Sequence, residues 1–225
     1  MQRDAFLKRV REAAQQGQAY RVTTRSYPDD IGYIGFNGDA CEKLATEIVL
    51  VGGEAYVVDD LLAARELVLR LCGEVSAKSA LCWQHELLDR LGLAELLTEA
   101  GIVRLDHNAL SGQEPEQRST TALAADVGIT SCSFAVAETG SLLMLAQPGQ
   151  ERVASLLPPM HIAVVERGQI LPDLYDAIGR LQALGFDGLP SNAVLITGPS
   201  KTGDMELELT TGVHGPGRWC VVVVQ

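Results

Sequence analysis

The chain has 225 residues, 47% of them apolar and 21% charged, enough for one generous domain or two small ones with a real core. Its net charge of -11 argues against nucleic acid and anionic membrane surfaces as partners, although a small anion can still bind where local cations and backbone dipoles act at short range. No run reaches the roughly 18 apolar residues of a membrane helix. The opening MQRDAFLKRVREAAQQG is charged throughout, unlike a secretory leader, so a cytoplasmic location is expected. Cys41, Cys72, Cys82, Cys132 and Cys220 are scattered, with no C-x-x-C pair, and are read as reduced, mostly buried thiols. Four histidines without H-x-x-x-H spacing argue against a protein metal site, and neither a Walker loop nor G-x-G-x-x-G indicates a nucleotide cofactor.

In chain order, residues 3–16 predict a helix with Phe6, Leu7, Val10 and Ala14 on one stripe, packed on the domain or on a partner. Residues 17–40 carry the turn signals Pro28-Asp29-Asp30 and Asn37-Gly38-Asp39, and read as an extended arm with Tyr33 and Phe36 as candidate anchors. A main domain is expected over residues 41–225. Helix 41–51 should stop at Gly52-Gly53, followed by strand 55–58 and a helix 61–71 capped by Asp59-Asp60. Strand 80–83, short helices 85–90 and 94–100, and strand 102–105 follow; 106–117 reads as a polar loop and 117–125 as a helix. Strands are expected at 127–130, 141–145 and 161–165, and a helix at 172–184 with Pro172 in its first turn. Val194–Ile196 and Trp219–Val224 are expected to close the sheet. This alternation predicts an α/β fold around a mostly parallel sheet flanked by helices, preceded by an N-terminal helical arm.

Two stretches read as halves of one site. In the second, strand 194–196 runs into Thr197-Gly198-Pro199-Ser200-Lys201-Thr202-Gly203-Asp204, a turn able to aim backbone N–H groups, hydroxyls and an ammonium at an anion. An ordinary surface loop with Asp204 as a cap is the alternative. Gly212-Val213-His214-Gly215-Pro216-Gly217 surrounds one imidazole with backbone-permissive residues; it places His214 for chemistry or is a plain tight turn. In the first stretch Glu138 precedes Thr139-Gly140 and a strand. It is a candidate base or nucleophile, or else it caps a helix or pairs with Lys201 or Arg218. The suggested roles are carboxylate base for Glu138, proton donor for His214, anion anchor for Lys201 with Gly198, Ser200 and Thr202, and orienting group for Asp204. His161 reads as structural. Ligands of open α/β sheets bind at carboxyl ends of strands, where such a site is expected.

The phrases VGIT…AVAETGSLLML, SLLPPMHIAVVERGQILPDL and ITGPSKTGDMELELTTGVHGPG resemble the LUD domain, the lactate-utilisation protein C family, over roughly residues 41–225. Lys201 stands where that family usually has arginine, keeping the charge without the planar fork. The resemblance implies a NagB/RpiA/CoA-transferase-like fold. It also implies a part in oxidising L-lactate to pyruvate beside partner subunits that carry the iron–sulfur clusters, with no cofactor in this chain. A small carboxylate or phosphate is the ligand expected. Alternatives are a stand-alone sugar-phosphate isomerase-like or acyl/CoA-transferase-like enzyme using Glu138, where the acyl-transfer role is analogy, and a metabolite sensor.

Overall fold

The structure, a computed structural model, describes residues 3–17, 38–203 and 209–225. Tyr33, Phe36, most of the expected arm and Asp204 lie outside the described residues. Helix α1 (Arg3–Gly17) belongs to one compact unit, and everything from residue 38 onward to another.

In the second unit, α2 (Ala40–Leu50) starts where the Asp39 carboxylate accepts from the Cys41 and Glu42 N–H groups. It leads into β1 (Glu54–Val58) and α3 (Leu61–Glu74), the latter capped by Asp60 on the Ala63 N–H. Then come β2 (Ser79–Cys82), α4 (Glu86–Arg90), α5 (Leu93–Glu99) and β3 (Val103–Leu105). The expected polar loop holds a short helix, α6 (His107–Ser111), capped by Asp106 on the Ala109 N–H, and the start of α7 (Pro115–Leu123). One turn and a half with Leu110 as its buried apolar residue leaves no periodicity to read.

Next are β4 (Val127–Thr130), β5 (Phe134–Val136), β6 (Ser141–Leu145), α8 (Val153–Leu156), β7 (Met160–Glu166) and β8 (Ile170–Leu171). The chain continues through α9 (Leu174–Ala183), α10 (Gly185–Gly188), β9 (Ala193–Ile196), β10 (Lys201–Gly203), β11 (Leu209–Thr211) and β12 (Arg218–Val224).

The main sheet has the order β1-β12-β7-β4-β2-β3 with every pairing parallel. Parallel strands need long crossovers, which place helices over both faces. Accordingly Met160–Val165 and Trp219–Val224 are buried residue after residue rather than alternately. Helices α2 and α3 both pack on β1 and β12, and α8 packs on β4.

The expectation that Val194–Ile196 closes this sheet needs correcting. β9 pairs antiparallel with β6 in a separate four-stranded sheet of order β8-β5-β6-β9. The reason is connection length: 137–140 is too short for a parallel return, so β5 and β6 form an antiparallel hairpin, and β9 adds to its edge. Its half-exposed, alternating residues suit that edge.

At the centre of the main sheet His161 is fully buried, with Nε2 2.8 Å from Thr130 Oγ1 and Nδ1 unpartnered. Burial pushes its pKa from 6.5 down to about 3, so the folded state holds a neutral ring. Between those values the unfolded chain binds the extra proton, and stability therefore falls as pH drops through that window. Urea unfolding should show this group removing roughly 1.5 kcal/mol of stability between pH 6.5 and pH 5. The slope should flatten in His161→Gln; equal slopes in the two proteins would exclude His161 as its source.

Candidate functional site

The two stretches singled out from the sequence meet against the last turn of α2. That helix ends with Gly52 at φ +91°, its N–H bonded to Val49 O, and with the Gly53 N–H bonded to Ile48 O at 2.9 Å, a Schellman arrangement. The Val51 carbonyl is left facing outward, and the Lys201 ammonium donates to it at 2.6 Å. A cation at the negative end of a helix is electrostatically favoured. Lys201 is exposed, so its remaining N–H donors face solvent. Gly198, at φ +97°, lies over the same carbonyl: a Cβ there would stand 2.8 Å from Val51 O.

Residues 201–203 form a strand of the β10–β11 hairpin, with Lys201 opposite Thr211 and Thr202 opposite Thr210. The Ser200 N–H donates to Pro216 O at 2.9 Å and Ser200 O accepts from Gly212 N–H at 3.0 Å. The loop carrying His214 is thus seated on Ser200, with His214 itself exposed. Asp204 lies outside the described residues.

The first stretch approaches the same helix one turn earlier. Gly140, at φ +64°, packs on the α2 backbone, and an added Cβ would stand 2.7 Å from Glu47 C and Ile48 N. Beside it a chain of hydroxyls crosses between the two stretches: Thr139 Oγ1 to Ser141 Oγ and Ser141 Oγ to Thr197 Oγ1, each at 2.7 Å. Glu138 is half-buried and turned the other way. Its Oε2 accepts from the Leu174 N–H at 3.3 Å, the first residue of α9, which is the helix-capping alternative. Arg218 pairs with acidic neighbours: Nε and Nη2 reach Glu54 at 2.6 and 2.8 Å, and Nη2 reaches Glu74 at 2.7 Å. That guanidinium, against the opposing effect of burial and with help from the Tyr56 hydroxyl, holds the Glu54 carboxyl down at about 2.

Relative to the main sheet this assembly lies at the amino-terminal edge. Val51 and Gly52 lead into β1, and the Gly217 and Arg218 N–H groups donate to Pro159 O just ahead of β7. The carboxyl ends of β2 and β3 open elsewhere, onto a cavity of about 490 Å³ bounded by α6, α7 and α8. None of the residues singled out from the sequence lines it. It holds instead His107, Arg118 and Glu151, with His107 Nδ1 2.5 Å from Glu151 Oε1. These come from three separate segments, so no spacing in the sequence links them; the available signal was the rule that α/β ligands sit at carboxyl edges. No group of three or more His, Cys, Asp or Glu side chains arranged to hold a metal occurs among the described residues.

An α/β protein with a parallel main sheet, a small mixed sheet and glycine-mediated contacts at the α2 end is the class this geometry defines. The chain belongs to the LUD domain family, whose model matches residues 41–224. It is 32% identical over 189 residues to lactate utilization protein C of Halalkalibacterium halodurans, covering 83% of this chain and 76% of that protein. To lactate utilization protein C of Bacillus licheniformis it is 27% identical over an alignment of 243 residues, covering 99% and 96%. A crystal structure of a DUF162 family protein from Deinococcus radiodurans shares the fold, with a TM-score of 0.54 at 21% identity over 83% of this chain and 96% of that one.

The contact of Gly140 with α2 is backbone on backbone and admits no Cβ. Gly140→Ala should lose about 1–3 kcal/mol in urea unfolding. Gly168→Ala, with nothing within 4 Å of the added carbon, is the control and should be near neutral. Equal stability of the two variants would show that the hairpin does not rest on the helix.

Proposed function

We propose that this chain is a cytoplasmic component of an L-lactate utilisation system, one that carries no redox centre and acts beside partner subunits whose iron–sulfur clusters oxidise L-lactate to pyruvate. Membership of the LUD domain family, with relatives named lactate utilization protein C along most of the chain, is the observation that carries this reading. The thiols are in keeping with it. All five cysteines are buried and free, and burial raises Cys72 to about 11 and Cys82 and Cys220 to about 12. No helix among the described residues is long and apolar enough to cross a membrane.

Within this reading the loop 198–202 seated on the α2 end holds a small carboxylate or other anion, on the side of the Lys201 ammonium that faces away from the helix. Lys201 supplies the charge, Gly198 the close backbone approach, and Ser200 and Thr202 the hydroxyls, with His214 on the adjoining loop and Asp204 next in sequence. The second reading, a NagB/RpiA/CoA-transferase-like enzyme with Glu138 as base or nucleophile, is less well supported because Glu138 Oε2 already accepts from the Leu174 N–H. Turnover of an acyl-CoA or sugar phosphate by the isolated protein, lost in Glu138→Gln, would favour it.

Deletion of the gene should abolish growth on L-lactate and spare growth on pyruvate, and the tagged protein should co-purify with iron–sulfur subunits. Complementation with Lys201→Met should restore growth only partly. Normal growth of the deletion strain on L-lactate would overturn the proposal.

A further inference from the structure

The cavity at the carboxyl ends of β2 and β3 is large for a three-carbon hydroxy acid. At the roughly 30 Å³ that one water takes in the liquid, its 490 Å³ is about sixteen waters' worth of space. Cavities of this size hold ligands with a substantial apolar body. The walls match such a body: Trp83, Leu105, Leu110, Leu123, Val153 and Leu157 are all part of the lining.

Polar groups line it too, Asp106, His107, Arg118 and Glu151 among them. Glu151 is fixed there by three contacts: its Oε1 takes His107 Nδ1 at 2.5 Å and the Gly149 N–H at 3.1 Å, and its carbonyl accepts from Trp83 Nε1 at 2.9 Å. His107 and Glu151 also line an open groove that continues past Gln147, Arg152 and Asn192. The Asn192 Oδ1 is buried without a hydrogen-bond partner. Arg118 lines the cavity on α7, and its guanidinium has neither an ion pair nor a hydrogen bond to any described residue. In a chain of net charge -11, an arginine without a carboxylate beside an apolar cavity is a ready partner for an incoming anion. The Glu151 carboxylate on the same cavity disfavours a second anionic group on the ligand.

We propose that this cavity binds a monocarboxylate with an apolar body, a medium-chain or aromatic acid, whose carboxylate pairs with Arg118 while the body lies against Trp83, Leu110 and Leu157. The site is separate from the α2 end, and the ligand is not lactate or pyruvate.

Calorimetric titration of the full-length protein with octanoate, hexanoate, octan-1-ol and L-lactate tests this. Octanoate should bind saturably with one molecule per chain. Hexanoate should bind roughly tenfold more weakly, since each methylene is worth about three- to fourfold. Octanol should also bind about tenfold more weakly, and L-lactate should not compete. Arg118→Gln, an exposed helical position, should weaken octanoate about tenfold and leave octanol unchanged. Ala122→Phe, which fills the cavity, should abolish binding of both; if it does not fold, the Arg118→Gln comparison decides. Absence of saturable octanoate binding, several molecules per chain, or equal octanoate affinity in Arg118→Gln and the unaltered protein would each overturn the proposal. Growth on L-lactate is a separate readout, so either idea can fail while the other stands.

Discussion

The closing turn of α2 is the constraint on which the arrangement of the two sheets depends. A helix that ends in a Schellman turn satisfies the carbonyls of Ile48 and Val49 internally, and here Val51 O is left to meet Lys201. Two segments far apart in the chain converge on this end. Gly198 and Lys201 meet Val51 O, and Gly140 meets the backbone at Glu47 and Ile48. Because α2 also packs on β1 and β12, whatever is fastened to its last turn is fastened to the main sheet. The β5–β6 hairpin is held in this way, and Ser141 is brought to hydrogen-bonding distance of Thr197. The pairing of Leu142 with Ile196 and the rest of the β6–β9 register follows.

Charges at this edge serve the fold in the same sense. Arg218 opens β12 and meets Glu54, the first residue of β1, through two parallel N–H···O bonds, with Glu74 at the end of α3 as a third partner. All three side chains are about a third exposed, so solvent screens the pair and its worth lies in fixing register more than in stability. Lys201, the other cation the sequence offers here, is part of the α2 cap. An anion arriving at this edge therefore meets an ammonium that already has one carbonyl partner.

Much of the fold was legible because it rests on local chemistry. Asp60 and Gly52 mark helix ends by what their side chain or backbone can do, and the apolar runs at 162–165 and 219–224 announce strands covered on both faces. The second sheet was missed although its signal was present: a connection of four residues between two strands dictates an antiparallel pair. Glu138 shows a different difficulty. A carboxylate two residues before a glycine at a strand end suits catalysis and capping equally, and its contact with the Leu174 N–H, 36 residues on, was not legible in the sequence. His107 and Glu151 are 44 residues apart, with Arg118 between them in the chain, and no periodicity brings such residues together.

The three phrases that carry the family likeness form one contiguous object in space. Ser141 bonds to Thr197 and Gly217 to Pro159, so the first and second phrases each touch the third, and Ser200 to Pro216 closes the third on itself. Contacts made at positive-φ glycines and between backbones tolerate few residue types, so a phrase built from them recurs for structural reasons whatever the protein binds. Most of the cavity is drawn from elsewhere: α6 and α7 supply His107, Leu110 and Arg118 from a stretch outside all three phrases. The phrases that carry the family likeness thus lie at the joint that holds the two sheets together, while the cavity at the carboxyl edge is lined mostly by residues outside them.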